Sequence, residues 1–212
     1  EQVLAKKEKI PFYYDDLKEE PAILREETVP YMYSAREYDG EDIERLSEWS
    51  RAELINGKLY MLSAPNRLHQ YFVKGLVFDI ESHIRKKKGG CQVYTSPFDV
   101  RLFGDDSTVV QPDILVVCNR DILTEKGCSG APDWVIEIVS KSNSSHDYVR
   151  KLMQYQKAGV REYWIVDPFE KQVSVMNFED PEKTAQYTYQ DSVPSGVLEG
   201  LEIRFEELEE GY

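Results

Sequence analysis

At 212 residues the chain is long enough for one domain with a full core, and its 41% hydrophobic and 31% charged residues describe a folded, water-facing protein rather than a disordered one. No apolar run approaches the ~18 residues a membrane helix needs, and Glu1 to Lys9 lack the basic-then-apolar order of a signal peptide, so a cytoplasmic protein is expected. The net charge of −13 argues against a partner held mainly by phosphate contacts, but the excess is terminal: residues 1–50 carry 14 acids and 7 bases, residues 199–212 carry 6 and 1, and the rest is nearly neutral.

In chain order, residues 1–33 lack periodicity, are dense in charge and read as an arm, with the domain proper at 34–212. Ser34 followed by Glu37 resembles a capping box and opens a helical lead-in to Ser50 with Ile43 and Leu46 on its apolar side. Ala52–Ile55 and Lys58–Leu62 flank Asn56-Gly57, the strongest short-range signal for a β-hairpin. Pro65-Asn66 then starts a long helix to about Lys88. Leu68, Phe72, Leu76, Ile80 and Ile84 form its apolar stripe, and Gly89-Gly90 stops it. Arg85 to Lys88 crowd its last turn, where they suit the helix dipole and could also meet nucleic acid.

Short apolar runs follow at Cys91–Thr95, Phe98–Phe103, Val109–Cys118 and Trp134–Val139, and these predict strands. A second helix over Ser145–Ala158 carries Val149, Leu152, Met153 and Tyr155 inward and ends at Gly159. Strands Glu162–Val166 and Gln172–Asn177 are joined through Asp167-Pro168, and a looser tail with Tyr187 to Tyr189 and Val197 to Phe205 closes an α/β order. Cys91, Cys118 and Cys128 are odd in number and lack metal or redox spacing, so all three are expected to be reduced, small buried hydrophobes.

Two strands contain a carboxylate where an ionised group is costly unless something compensates it: Asp113 in Gln111-Pro112-Asp113-Ile114-Leu115-Val116-Val117, and Glu137 in Trp134-Val135-Ile136-Glu137-Ile138-Val139. If the strands are neighbours, both acids converge on one hard cation, Mg²⁺ or Mn²⁺, with the Ile138 carbonyl as a further oxygen. Such a cation polarises a phosphoryl oxygen and helps make hydroxide from water. A lysine beside it would stabilise the charge building on phosphorus. Lys141 shares strand parity with Glu137, whereas Lys151 lies on the next helix four residues after Asp147 and is preferred. The bland alternative for Asp147 and Lys151 is an exposed helix pair worth only ~0.3 to 0.5 kcal/mol. Glu53 is either a third acidic ligand or an outward strand residue, and His69 is either an acid–base group or structural.

Pro112-Asp113, Glu137-Ile138-Val139 and Asp147 with Lys151, together with Glu53 to Lys58, His69, Ala131-Pro132-Asp133 and Gly159 to Pro168, resemble the Uma-two family of restriction endonucleases in the PD-(D/E)XK nuclease-like superfamily, over roughly residues 34–208. The resemblance implies a mixed central β-sheet flanked by helices, a restriction-endonuclease-like core to which the hairpin is added, with acids from adjacent strands meeting at a metal. It also implies DNA as substrate. The superfamily's motif has a lysine two residues after the second acid. Here that position is Val139, and the resemblance moves the lysine to Lys151. Two other functions fit the same residues: a non-catalytic module that binds nucleic acid or protein, and a metal-dependent hydrolase of a smaller phosphate ester. Paired cuts in a duplex would suit a homodimer.

Overall fold

The computed structural model describes residues 38–39, 42–43, 51–140 and 145–212. The 1–33 arm and the Ser34–Glu37 box lie outside them. Of the lead-in helix, Asp42 and Ile43 are helical, and Ile43 packs with Tyr38, Leu54, Leu59 and Val109.

The predicted hairpin forms as β1 (Ala52–Ile55) and β2 (Lys58–Met61). Asn56 and Gly57 both sit at positive φ, 50° and 72°, as a two-residue turn between twisted strands requires. β1 also pairs antiparallel with β5 (Thr108–Val110), so the hairpin is one side of a six-stranded sheet. That sheet continues through β4 (Val100–Arg101), β8 (Gly127–Ser129) and β7 (Leu123–Thr124).

Helix α1 spans Arg67–Lys87 and starts where Asn66 accepts the His69 N–H at 2.9 Å, an N-cap that satisfies one of the orphan donors of the first turn. Its buried stripe of Phe72, Leu76, Ile80 and Ile84 follows the four-residue spacing of the sequence. The helix stops one residue earlier than the glycines suggest. Lys88 itself takes the left-handed conformation, φ 53°, and the N–H groups of Lys88 and Gly89 close on the carbonyls of Arg85 and Ile84.

α1 covers one face of a second, mixed sheet. Its members are β3 (Gln92–Thr95), β6 (Ile114–Val117), β9 (Trp134–Ile138), β10 (Glu162–Asp167), β11 (Gln172–Asn177) and β12 (Ala185–Thr188), in the order β12-β11-β10-β9-β6-β3. β9 and β10 are parallel and the other pairs antiparallel; the crossover between those two is α2 (Ser145–Ala158), as parallel neighbours demand. Ile114, Val116, Trp134, Ile136 and Trp164 pack toward α1. β13 (Ser192–Pro194), β14 (Glu202–Arg204) and α3 (Phe205–Glu210) close that side through Val193, Ile203 and Phe205. The alternate residues Leu115, Val117, Val135 and Tyr163 pack on the other face with Tyr155 of α2 and with Ile55 and Val110 of the first sheet. Each fully buried side chain of this size contributes about 1.5 to 3 kcal/mol, which is what holds the two sheets together.

Three expectations need correction. The run Val109–Cys118 is two strands, because Gln111-Pro112-Asp113 crosses from one sheet to the other and Pro112 offers no N–H to either ladder. Along α2, Val149 and Met153 face solvent, at 58% and 49% exposure, while Tyr148, Lys151, Gln154 and Tyr155 face in. The helix is rotated about its axis by Lys151, whose ammonium has buried partners described below. Finally, Cys91 and Cys118 form a disulfide, and only Cys128 is a free, buried thiol. The β3–β6 register pairs Gln92 with Val117, so one step further sets Cys91 against Cys118, a proximity created by the ladder and invisible in the spacing. Burial pushes the Cys128 thiol up to about 12, which suits its part in the core.

Candidate active site

The break at Pro112 places Asp113 at the mouth of β6, on the rim of the mixed sheet. β6 and β9 pair Ile114 with Ile136, so the next step of the register sets Asp113 opposite Glu137, both on the face shared by Leu115 and Val135. Two acids far apart in sequence thus become cross-strand neighbours.

Each acid is then held by a different layer. Asp113 Oδ2 accepts the Ile138 N–H at 2.8 Å and lies 2.9 Å from His69 Nε2, which the capped first turn of α1 presents. His69 is 7% exposed, and among the described residues its buried Nδ1 has no hydrogen-bond partner. Glu137 Oε1 accepts from Lys151 Nζ and from the Tyr155 hydroxyl, each at 2.9 Å. The same ammonium donates to Glu53 Oε1 at 2.8 Å, and that oxygen also accepts the Gln111 N–H at 2.9 Å. Lys151 and Tyr155 are i and i+4 on α2, one above the other on its inner face.

Glu53, Glu137 and Lys151 are 1%, 4% and 5% exposed. Charges so deep are tolerated only when paired, and breaking such a pair is costly. Burial pushes the Glu137 carboxyl up to about 8; the Lys151 ammonium opposes the rise, and the neighbouring acids Asp113 and Glu53 reinforce it. Burial, then the Glu137 charge, lifts the Tyr155 phenol well above its ordinary range and keeps it a hydrogen-bond donor.

The donor set fits a hard cation. Among the described residues, the hydrogen bonds to the two facing acids fall on Asp113 Oδ2 and Glu137 Oε1, so the other oxygen of each carboxylate accepts none. A dication between them would relieve the acid–acid repulsion that lifts Glu137. No group of three His, Cys, Asp or Glu among the described residues forms a ready cage. Mg²⁺ needs none, since one or two carboxylates and several waters ordinarily hold it.

Asp113, Glu137, Ile138, Lys151, His69 and Glu53 therefore come together at one place. Lys141 and the side chain of Asp147 lie outside the described residues. The exposed-pair reading of Lys151 is overturned by its burial. Tyr155, expected only as core, donates into the site, and Gln111 and Arg51 join it without having been expected there. The four-residue step from Lys151 to Tyr155 and the two-residue alternation of Arg51 with Glu53 were the available signals. The basic residues Arg85, Lys86 and Lys87 lie at the other end of α1, roughly 24 Å from His69 at ~1.5 Å per residue.

Among the described residues no helix is long and apolar enough to cross a membrane. A search of curated proteins finds no match to the chain. Among solved structures, a protein from Anabaena variabilis described as a "putative nuclease belonging to DUF820" is similar, with a TM-score of 0.63 and 25% identity, covering 75% of this chain and 89% of that one. This likeness makes the two-sheet α/β architecture a nuclease-like fold. The sequence over residues 40–206 matches the Uma2 family, described as "Putative restriction endonuclease", and the chain belongs to that family.

Proposed function

We propose that the chain is an endonuclease that hydrolyses DNA phosphodiester bonds with Mg²⁺ or Mn²⁺ at the Asp113–Glu137 edge. The observation that carries this reading is the cross-strand placement of those two acids with a buried lysine on the second. Asp113 and Glu137 would hold the cation, with the Ile138 carbonyl and Glu53 as further oxygen donors. Bound there, the cation would polarise the phosphoryl oxygen and lower the pKa of a water. His69 fixes the orientation of Asp113 through Oδ2. Lys151 and Tyr155 fix Glu137 through Oε1, leaving the second oxygen of each acid for ligation. Lys151 also supplies positive charge beside the reacting phosphate. In a duplex, paired cuts need two such centres, and a twofold homodimer is the assembly we propose for them.

The test is cleavage of labelled single- and double-stranded DNA by the purified chain in Mg²⁺ or Mn²⁺, with Asp113→Asn and Glu137→Gln alongside. Metal-dependent cleavage lost in both variants supports the reading. Cleavage that survives both, or metal binding without any cleavage by the unaltered chain, refutes it. The latter outcome favours a non-catalytic binding module, a reading for which Val139 at the superfamily's lysine position speaks.

A further inference from the structure

Lys151 is held between two buried carboxylates and is 5% exposed, so the charge it lends a reacting phosphate is offset by Glu53 and Glu137. A phosphodiester arriving at the Asp113–Glu137 edge meets acids first and needs a cation that can reach its outer oxygens. Arg51 stands beside that edge. It precedes β1 and shares a strand face with Glu53 two residues on. Its Nε donates to Gln111 Oε1 at 3.4 Å, and its Nη2 donates to Ser96 Oγ. Ser96 is the residue whose N–H bonds the Asp113 backbone carbonyl, and Gln111 is the one whose N–H bonds the Glu53 carboxylate, so both anchors of the guanidinium are themselves tied to residues of the site. Gln111 is fixed in turn, because its Nε2 donates to Asp99 Oδ1 at 2.8 Å.

Arg51 differs from the arginines of this chain that are committed to acids. Arg85, Arg101, Arg161 and Arg204 each meet a carboxylate. The partners of Arg51 among the described residues are two neutral oxygens, and the side chain is only half-buried. Two of its five N–H donors are engaged, which leaves part of the planar fork for an anion with two oxygens to offer. We propose that Arg51 is a phosphate-binding residue of this site, taking a non-bridging oxygen of the nucleic-acid strand laid across the Ser96–Asp113–Glu137 row. This inference rests on the nuclease reading.

The experiment compares Arg51→Met and Arg51→Lys with the unaltered chain in single-turnover DNA cleavage with Mn²⁺. Affinity for the same labelled DNA is measured over a salt series in the Glu137→Gln background, where the strand stays uncut. Arg51→Met should lower the cleavage rate about 10²-fold, weaken binding about tenfold, and reduce the slope of log affinity against log salt by about one, the mark of one lost phosphate contact. Arg51→Lys should keep most of the slope, because the charge remains, and recover only part of the rate, because the fork is lost. A purely structural arginine would leave the slope unchanged. Slope and rate equal to those of the unaltered chain in a folded Arg51→Met protein overturn the assignment. If Arg51→Met does not fold, Arg51→Gln takes its place: a slope reduced by about one together with a reduced rate supports the proposal, and an unchanged slope overturns it. Activity lost in Glu137→Gln but intact in Arg51→Met removes Arg51 alone, whereas an unaltered chain that neither binds nor cuts DNA removes the nuclease reading as well.

Discussion

Replacing Glu137 by glutamine should stabilise the protein while abolishing the DNA cleavage proposed for it. Glutamine keeps the shape of glutamate and an oxygen that can accept from Lys151 and Tyr155, but it carries no charge into a position that is 4% exposed. The Glu137 carboxyl is pushed from 4.5 up to about 8, chiefly by burial. Between those values the folded state keeps a proton that the unfolded chain has released, so the stability contributed by this group is full below about 4.5 and is lost as pH rises through about 8. At pH 7, the interval above 4.5 at about 1.4 kcal/mol per pH unit gives a penalty on the order of 3 kcal/mol relative to a neutral side chain. Urea unfolding of both proteins from pH 5 to 8 without added metal reads this directly. The two should be close at pH 5 and diverge in favour of Glu137→Gln as pH rises. Added Mn²⁺ should then raise the stability of the unaltered chain far more than that of the variant, because ligand binding to the native state stabilises it by mass action. A difference that stays flat with pH, or a Glu137→Gln protein less stable than its parent at pH 7, would refute the reasoning.

Removing the partner cation has the opposite sign. Lys151→Ala leaves Glu53 and Glu137 buried without their shared ammonium and should cost about 3 to 5 kcal/mol in urea unfolding as well as ending cleavage. The near-unchanged stability expected of an exposed helix pair does not survive the burial of this lysine. Lys141→Ala is the matched control, and cleavage lost there but kept in Lys151→Ala would reverse the assignment. Gly196→Ala should lower stability by about 1 to 3 kcal/mol without touching the site, because its Cβ would collide with Glu162 Oε2 and Asn177 Nδ2; an unchanged denaturation midpoint would disprove it. That carboxylate accepts the Gly196 N–H at 2.7 Å and the Asn177 amide at 3.2 Å, while its other oxygen takes the Trp164 indole N–H at 2.8 Å. Deleting residues 1–33 should leave one cooperative unfolding transition, and its loss in calorimetry would show that the arm is part of the domain.

Local chemistry is legible in the sequence wherever it is decided by neighbours in the chain. Asn56-Gly57 reads as a tight hairpin because both residues tolerate positive φ, and Pro65-Asn66 reads as a helix start, where the Asn66 side chain accepts the amide three residues on. Asp113 and Glu137 stand out because an acid inside an apolar strand demands compensation. Whatever depends on register or on the far side of the chain was settled by tertiary structure. The β6–β9 pairing sets the two acids face to face, and the β3–β6 pairing does the same for Cys91 and Cys118. The orientation of α2 departs from its apolar periodicity for a related reason. Apolar periodicity turns Val149 and Met153 inward, but the attraction of one lysine to two buried carboxylates outweighs the burial of these two apolar side chains, and those carboxylates lie 14 and 98 residues away along the sequence. A hydrophobic pattern is a local property of the chain, whereas the electrostatic field that orients Lys151 exists only once both sheets have formed around it.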